Sequence, residues 1–121
     1  MTPDGIIQLV QRFNDALNDR NVDGMMALMH PDCIFENTSP PPDGTRFVGQ
    51  AQVRAFWLDF FANSSQATIE IEEIDAWADR CAMRWVYRWQ NSAGESGHIR
   101  GVDLYTVTDG LLREKLSYVK G

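Results

Sequence analysis

The chain has 121 residues, the size of one domain spanning 1–121, which leaves no room for a second folded unit. Eleven Lys and Arg stand against seventeen Asp and Glu, a net charge of −6 with no basic run, so nucleic acid and anionic membrane surfaces are excluded as partners on charge grounds. Leu, Ile, Val and Phe supply 29 residues and the aromatics 13, enough to bury a core and a pocket and well outside the disordered range.

No apolar stretch approaches the roughly 20 residues of a membrane-spanning helix. Met1-Thr2-Pro3-Asp4-Gly5 has neither the basic nor the apolar region of a signal peptide. Cys33 and Cys81 form no Cys-x-x-Cys pair and no disulfide framework; both read as small buried apolar residues. A cytoplasmic protein is the expectation.

Thr2 followed by Pro3 predicts a helix start, a hydroxyl cap before a proline suited to the first turn. Ile6, Leu9, Val10, Phe13 and Leu17 then recur at helical spacing, with Gln11, Asn14, Asp15 and Asn18 between them. Asn21 caps a shorter second helix carrying Met25, Met26, Leu28 and Met29. His30-Pro31-Asp32 ends it, because proline disfavours helix in the residue before it. A short strand, 33–37, leads to a loop, 37–49, that holds three consecutive prolines and an Asp43-Gly44 turn and is expected over the mouth of a pocket. A third helix, 50–62, places Val53, Phe56, Trp57, Phe60 and Phe61 on one face, the pattern of a helix laid on a sheet.

Everything after Asn63 reads as strands. Ile69 and Ile71 alternate with glutamates, but the next apolar residue is Ile74, an odd step that predicts a bulge at Glu72-Glu73. Cys81, Met83, Trp85, Tyr87 and Trp89 share one face of the next strand. A strand over 98–108 and an Asp109-Gly110 hairpin turn lead to a last strand, 111–120. Helices first and strands last mean an α+β fold with an antiparallel sheet.

The last hairpin carries the sharpest chemical signal. Asp103 stands in mid-strand between Val102 and Leu104, where an acid is not needed for solubility; desolvated, it would be raised toward neutral pH and suited to proton transfer. A structural ion pair with Arg84, Arg100 or Lys115 is the competing reading. A two-residue turn would set Leu116 opposite Asp103. A three-residue turn would set Lys115 there, with Arg113, Ser117 and Val119 on the same face. His30 has a turn role, His98 is expected to be exposed, and the Met25-Met26-Met29 group fills the core. No metal-ligand spacing, Gly-x-Ser-x-Gly elbow or phosphate-cradling glycine loop occurs, so neither metal nor cofactor is expected.

The segments QRFNDALNDRNVDGMMALMHPDCIFE, FVGQAQVRAFW and RGVDLYTVTDGLLREKLSYVKG together resemble the SnoaL-like branch of the nuclear transport factor 2-like superfamily over nearly the whole chain. The resemblance implies a cone: three N-terminal helices against a strongly curved, mainly antiparallel sheet enclosing a pocket. It also implies a homodimer through the outer sheet face, here Val86, Val102, Leu104 and Thr106. From ketosteroid isomerase, the oxyanion aspartate carries over to Asp103, but the base aspartate falls on Asn37 and the helix-one tyrosine on Phe13, so steroid isomerisation is not implied. Glu36, one residue from the base position, alternates to the opposite face. The acid/base aspartate of polyketide cyclases also matches Asp103; the Asp–Arg–Asp set of epoxide hydrolases has no counterpart.

The resemblance favours the register with Lys115 inside. Asp103, Lys115 and Asn37 are then the polar, catalytic candidates of a cavity walled by Phe13, Phe35, Trp57, Trp85, Tyr87, Trp89 and Tyr105. Three functions follow as expectations. The first is a cofactor-free isomerase, cyclase or lyase acting on a small apolar molecule with a carbonyl or hydroxyl group. The second is a binding module using the same cavity without chemistry, and the third an interaction protein whose cone is filled by its aromatics.

Overall fold

Over the residues it describes, 1–64 and 66–121, a computed structural model lays three helices on one six-stranded sheet. The elements are α1 (Pro3–Asn18), α2 (Val22–Ala27), β1 (Met29–Glu36), β2 (Arg46–Val48), α3 (Gly49–Asn63), β3 (Gln66–Trp77), β4 (Arg80–Gln90), β5 (Ser96–Thr108) and β6 (Leu111–Val119). The strand order is β2-β1-β6-β5-β4-β3, antiparallel throughout except for the parallel β1–β6 pair. This is the α+β class that the order of elements predicts and the cone that the resemblance implies.

Helix α1 starts as its cap dictates, the Thr2 hydroxyl accepting the Gly5 N–H at 3.0 Å. Ile6, Leu9, Val10, Phe13 and Leu17 are buried against the sheet. Asn14, which the sequence sets among the polar spacers, is buried with them. The reason is a pair of amides one turn apart: Asn14 and Asn18 both donate to the Ile69 carbonyl, at 3.1 and 3.0 Å, and the Asn18 oxygen takes the Ile69 N–H at 2.8 Å. They pin α1 to β3 and satisfy backbone groups that the helix would otherwise cover unpaired.

Two boundaries differ from the sequence expectation. Helix α2 ends at Ala27, and residues Met29, His30, Pro31 and Asp32 belong to β1. Backbone pairing decides this: Met29 pairs with Leu112 of β6, and the next paired residue of β1 is Ile34. Pro31 sits in the irregular stretch between them, where its missing N–H costs no ladder bond. The second difference lies in the proline loop, whose last residues form β2, paired with Ile34, Phe35 and Glu36 of β1. Helix α3 begins one residue earlier than expected; its entry is fixed by Gln50, whose amide donates to the Met26 and Met29 carbonyls at 3.1 and 2.9 Å.

Besides the irregular stretch of β1, bulges in β3 and β6 shape the sheet. The one in β3 falls between Ile71 and Glu73, where the broken alternation placed it. A second lies in β6: Thr108 pairs with Leu111 and Val107 with Leu112, but Thr106 already faces Glu114, so Arg113 is the extra residue. Each bulge adds local twist, and together they curl the sheet around α1 and α3.

On the outer face, the ion pairs Glu70–Arg88, Glu72–Arg100 and Glu73–Arg84 surround Val86. Val86 is already buried within the chain, so it is not part of an available apolar strip; Val102, Leu104 and Thr106 remain half-exposed.

Cys33 and Cys81 are both free and fully buried, and burial pushes the Cys81 thiol up to about 11. Both thiols are therefore expected to be silent toward a disulfide reagent such as Ellman's in native protein at neutral pH, and to react stoichiometrically on unfolding. Rapid reaction of either in the folded state would contradict this packing.

Candidate functional site

The site is assembled by rows of side chains that cross the strands. Phe35 on β1, Lys115 on β6, Tyr105 on β5 and Cys81 on β4 are successive neighbours in one row. In the next row Ser117 faces Asp103, which faces Met83. Neither register left open by the sequence is the one adopted. The turn has two residues, but the Arg113 bulge shifts the pairing so that Ser117, rather than Leu116 or Lys115, stands opposite Asp103. Lys115 nonetheless shares the face of Asp103, and its four-carbon stem spans the diagonal between the rows.

Asp103 and Lys115 are only 2 % and 4 % exposed, and their charged atoms meet at 3.0 Å. The other proposed partners of Asp103 are engaged elsewhere, Arg84 with Glu73 and Arg100 with Glu72. Three donors converge on the carboxylate: Lys115 Nζ, the Trp85 indole N–H at 3.0 Å and the Tyr105 hydroxyl at 3.4 Å. Burial, the Asp103 charge and Cys81 together hold the Tyr105 hydroxyl well above the usual tyrosine range, so it stays protonated and stays a donor. The Lys115 ammonium also donates to the Ser117 hydroxyl at 3.2 Å. Its remaining surroundings are ring faces, with Phe35, Trp57 and Tyr105 centroids at 4.7, 5.8 and 5.9 Å. Such faces stabilise a cation that water no longer reaches.

Trp85 reaches Asp103 because β5 carries a glycine beneath it. Trp85 pairs with Gly101 and Trp89 with Gly97, and each indole lies flat on its glycine. A Cβ at Gly101 would come within 2.4 Å of the Trp85 ring and 2.3 Å of the Tyr118 carbonyl oxygen. Two glycines four apart, opposite two tryptophans four apart, were a readable signal that sequence reasoning passed over.

Asp103, Lys115 and Ser117 line a cavity of about 490 Å³ whose walls are chiefly apolar, with aromatic rings the larger part, a size suited to a small ligand. Phe35, Trp57, Trp85 and Tyr87 are among its lining residues. Three expected wall residues are elsewhere. Phe13 is fully buried in the core, edge-on to Tyr105 at 6.5 Å; Tyr105 is itself buried behind Asp103 and Lys115 and does not line the cavity. Trp89 turns to a separate surface hollow beside Arg20 and Gln90, because the strand runs past the cavity before reaching it. Leu17, Phe56, Phe60, Ile69 and Ile99 complete the apolar wall. Phe56 and Phe60 belong to the face of α3 that its spacing lays on the sheet.

Asn37, with Thr38 and Ser39, lines the cavity where the proline loop begins. Its side-chain oxygen accepts the Thr45 and Ser39 N–H groups at 2.7 and 3.3 Å, so it ties the loop together. Glu36 turns away and pairs with Arg46. Among the described residues no three His, Cys, Asp or Glu side chains converge as a metal site would require. No helix among them is long and apolar enough to cross a membrane.

The model of the SnoaL-like domain matches residues 10–115. The chain belongs to the SnoaL-like domain family. Among solved structures, this SnoaL-like chain is similar to an NTF2-like protein of unknown function from Mesorhizobium loti, 32% identical over 98% of this chain and 93% of the other, with a TM-score of 0.80. It is also similar in fold to RV0760c of Mycobacterium tuberculosis, determined in complex with estradiol-17beta-hemisuccinate, at 23% identity, 97% and 94% coverage and a TM-score of 0.77. TerC, co-crystallised with polyporic acid, is 17% identical over 96% of this chain and 92% of its own, with a TM-score of 0.83. No curated protein matches the sequence.

The buried pair makes a thermodynamic prediction. Asp103→Asn and Lys115→Met should each cost about 3–5 kcal/mol, because each leaves one charge without its partner. The double variant should cost far less than the sum. Urea unfolding of the four proteins measures this, and additive effects would contradict the pairing.

Proposed function

We propose that this SnoaL-like protein binds a compact apolar molecule carrying a carbonyl or hydroxyl oxygen and moves a proton on it, as a cofactor-free isomerase, cyclase or lyase does. One observation carries the reading: a charged pair at the floor of an aromatic cavity, where hydrophobic packing alone would place apolar side chains. An ammonium has three donors. Lys115 spends one on Asp103 and one on Ser117, which leaves a third for a ligand oxygen. Lys115 thus polarises the carbonyl, and Asp103, within the same hydrogen-bonded group, takes or returns the proton on the adjacent carbon. Enolisation needs no more than this acid/base group and polariser, so no cofactor enters the scheme. Asn37 shapes the cavity entrance rather than meeting the reacting atoms.

The ligands of RV0760c and TerC, a steroid ester and polyporic acid, support an oxygen-bearing apolar ligand for this chain as well. Steroid isomerisation itself is not proposed, since Asn37 and Phe13 occupy the positions of its base and its tyrosine. One observation favours a second reading, binding without turnover: both carboxylate oxygens of Asp103 already accept donors, which holds the carboxylate in place. We also infer a homodimer, a second copy packing on the strip formed by Val102, Leu104, Thr106 and the exposed Tyr118. Two unpaired thiols support a reducing cytoplasm as its setting.

Tryptophan fluorescence reports binding directly, because Trp57 and Trp85 line the cavity. Acetylnaphthalene should bind about 10–100-fold more tightly than ethylnaphthalene, the value of one hydrogen bond to a charged group, and Lys115→Met should erase the difference. In deuterated water the protein should speed exchange of the acetyl protons, and Asp103→Asn should lower that rate about 100-fold or more. Equal binding of ketone and hydrocarbon would overturn the proposal. Selective binding without exchange would leave the binding reading.

A further inference from the structure

Nine of the eleven basic residues are arginine; the only lysines are Lys115 and Lys120. Lys120 is exposed near the end of the chain, whereas Lys115 is buried in the cavity. For a purely structural partner to Asp103, arginine would serve better, since its planar fork matches a carboxylate in two hydrogen bonds. Lysine offers what arginine does not: it can shed a proton and become a nucleophile.

We propose that Lys115 is an amine nucleophile that forms an imine with an aldehyde or unhindered ketone admitted to the cavity. The inference rests on the reading that the cavity takes a small carbonyl compound, and adds a covalent step to it. The geometry supplies each part. Lys115 lines the cavity, a proton acceptor lies 3.0 Å from its Nζ at Asp103 Oδ2, and the ring faces of Phe35, Trp57 and Tyr105 pack around the amine. Moving one proton from Nζ to Oδ2 turns the ion pair into a neutral pair without changing the net charge of the cavity.

The freed lone pair attacks the carbonyl carbon, forming a C–N bond as the carbonyl π bond opens onto oxygen. A proton passes from nitrogen to that oxygen, with the Ser117 hydroxyl at 3.2 Å from Nζ as the nearest relay, and gives a carbinolamine. Asp103 then returns its proton to the carbinolamine hydroxyl, the C–O bond breaks and water leaves. The resulting iminium carries the single positive charge that the ammonium held, still beside the Asp103 carboxylate. No oxidant or reductant is consumed. An iminium withdraws electrons from the adjacent carbon more strongly than a hydrogen-bonded carbonyl does, so the same step eases removal of a proton there.

The test uses the whole protein with naphthaldehyde and sodium cyanoborohydride, which reduces imines to stable secondary amines. Intact mass and peptide mapping then locate the adduct. Lys115 should be modified at least about tenfold faster than Lys120, saturably, because the cavity holds the aldehyde against Nζ. Excess naphthalenemethanol, an isostere that cannot form an imine, should suppress labelling at Lys115 alone. Labelling at position 115 should vanish in Lys115→Arg and slow in Asp103→Asn. The comparison of the two lysines within one wild-type molecule needs no variant to fold. If the alcohol binds and the aldehyde is fixed no faster at Lys115 than at Lys120, the imine proposal falls and the cavity reading stands. If neither compound binds, the cavity reading falls and takes this one with it.

Discussion

An ammonium and a carboxylate 3.0 Å apart, both nearly closed off from water, are the most expensive groups in this chain to bury. Removing two such ions from water costs several kcal/mol each, which their mutual attraction offsets only when the remaining hydrogen-bonding positions are also filled. Most of them are filled here: the Trp85 indole and Tyr105 hydroxyl complete the carboxylate, while Ser117 and three ring faces surround the ammonium and leave one N–H for a ligand. Much of the fold can be read as the scaffold that keeps these partners converged. The Arg113 bulge sets which β6 residue faces Asp103, Gly101 lets Trp85 lie flat, and α3 brings Trp57 over the lysine.

A buried pair of this kind is weak evidence for stability, because apolar residues of equal volume often serve as well or better. That makes its place at the end of an open cavity informative. Groups that cost stability and face a ligand-sized space are the usual mark of a functional site. The same logic separates the two classes of cation in the protein. Arg84, Arg88 and Arg100 bridge glutamates on the outer sheet face, where each pair contributes little, while one lysine is sequestered with the one buried aspartate among the described residues.

Much of this was legible in the residues. The period of Ile6, Leu9, Val10, Phe13 and Leu17 gave α1 its buried face, and the broken alternation at Glu72-Glu73 gave a bulge, because both signals are local. Asp103 stood out because an acid between two apolar residues in mid-strand needs a partner. What stayed hidden was non-local. Nothing around Arg113 marks it as the extra residue; that depends on simultaneous pairing with β1 and β5. The strand state of Met29 to Asp32 likewise comes from a parallel partner more than eighty residues away in sequence, which overrides the local helix-ending reading of His30-Pro31. Asn14 looked like a surface residue until its acceptor, the Ile69 carbonyl, was in place. Trp89 shares a strand face with Trp85, yet face does not tell how far along the strand the cavity extends, and Trp89 lies beyond it.

The central claim is that Lys115 is a buried ammonium bonded to Asp103 and open to the cavity. With only two lysines in the chain, side-chain nitrogen NMR of isotope-labelled lysine tests it most directly. The account predicts one ammonium signal protected from exchange with water at neutral pH, assigned to Lys115 by its loss in Lys115→Met, displaced in Asp103→Asn, and shifted when acetylnaphthalene is added. Lys120 should exchange too fast to be seen. Two fast-exchanging lysines, both indifferent to Asp103 and to the ketone, would contradict it.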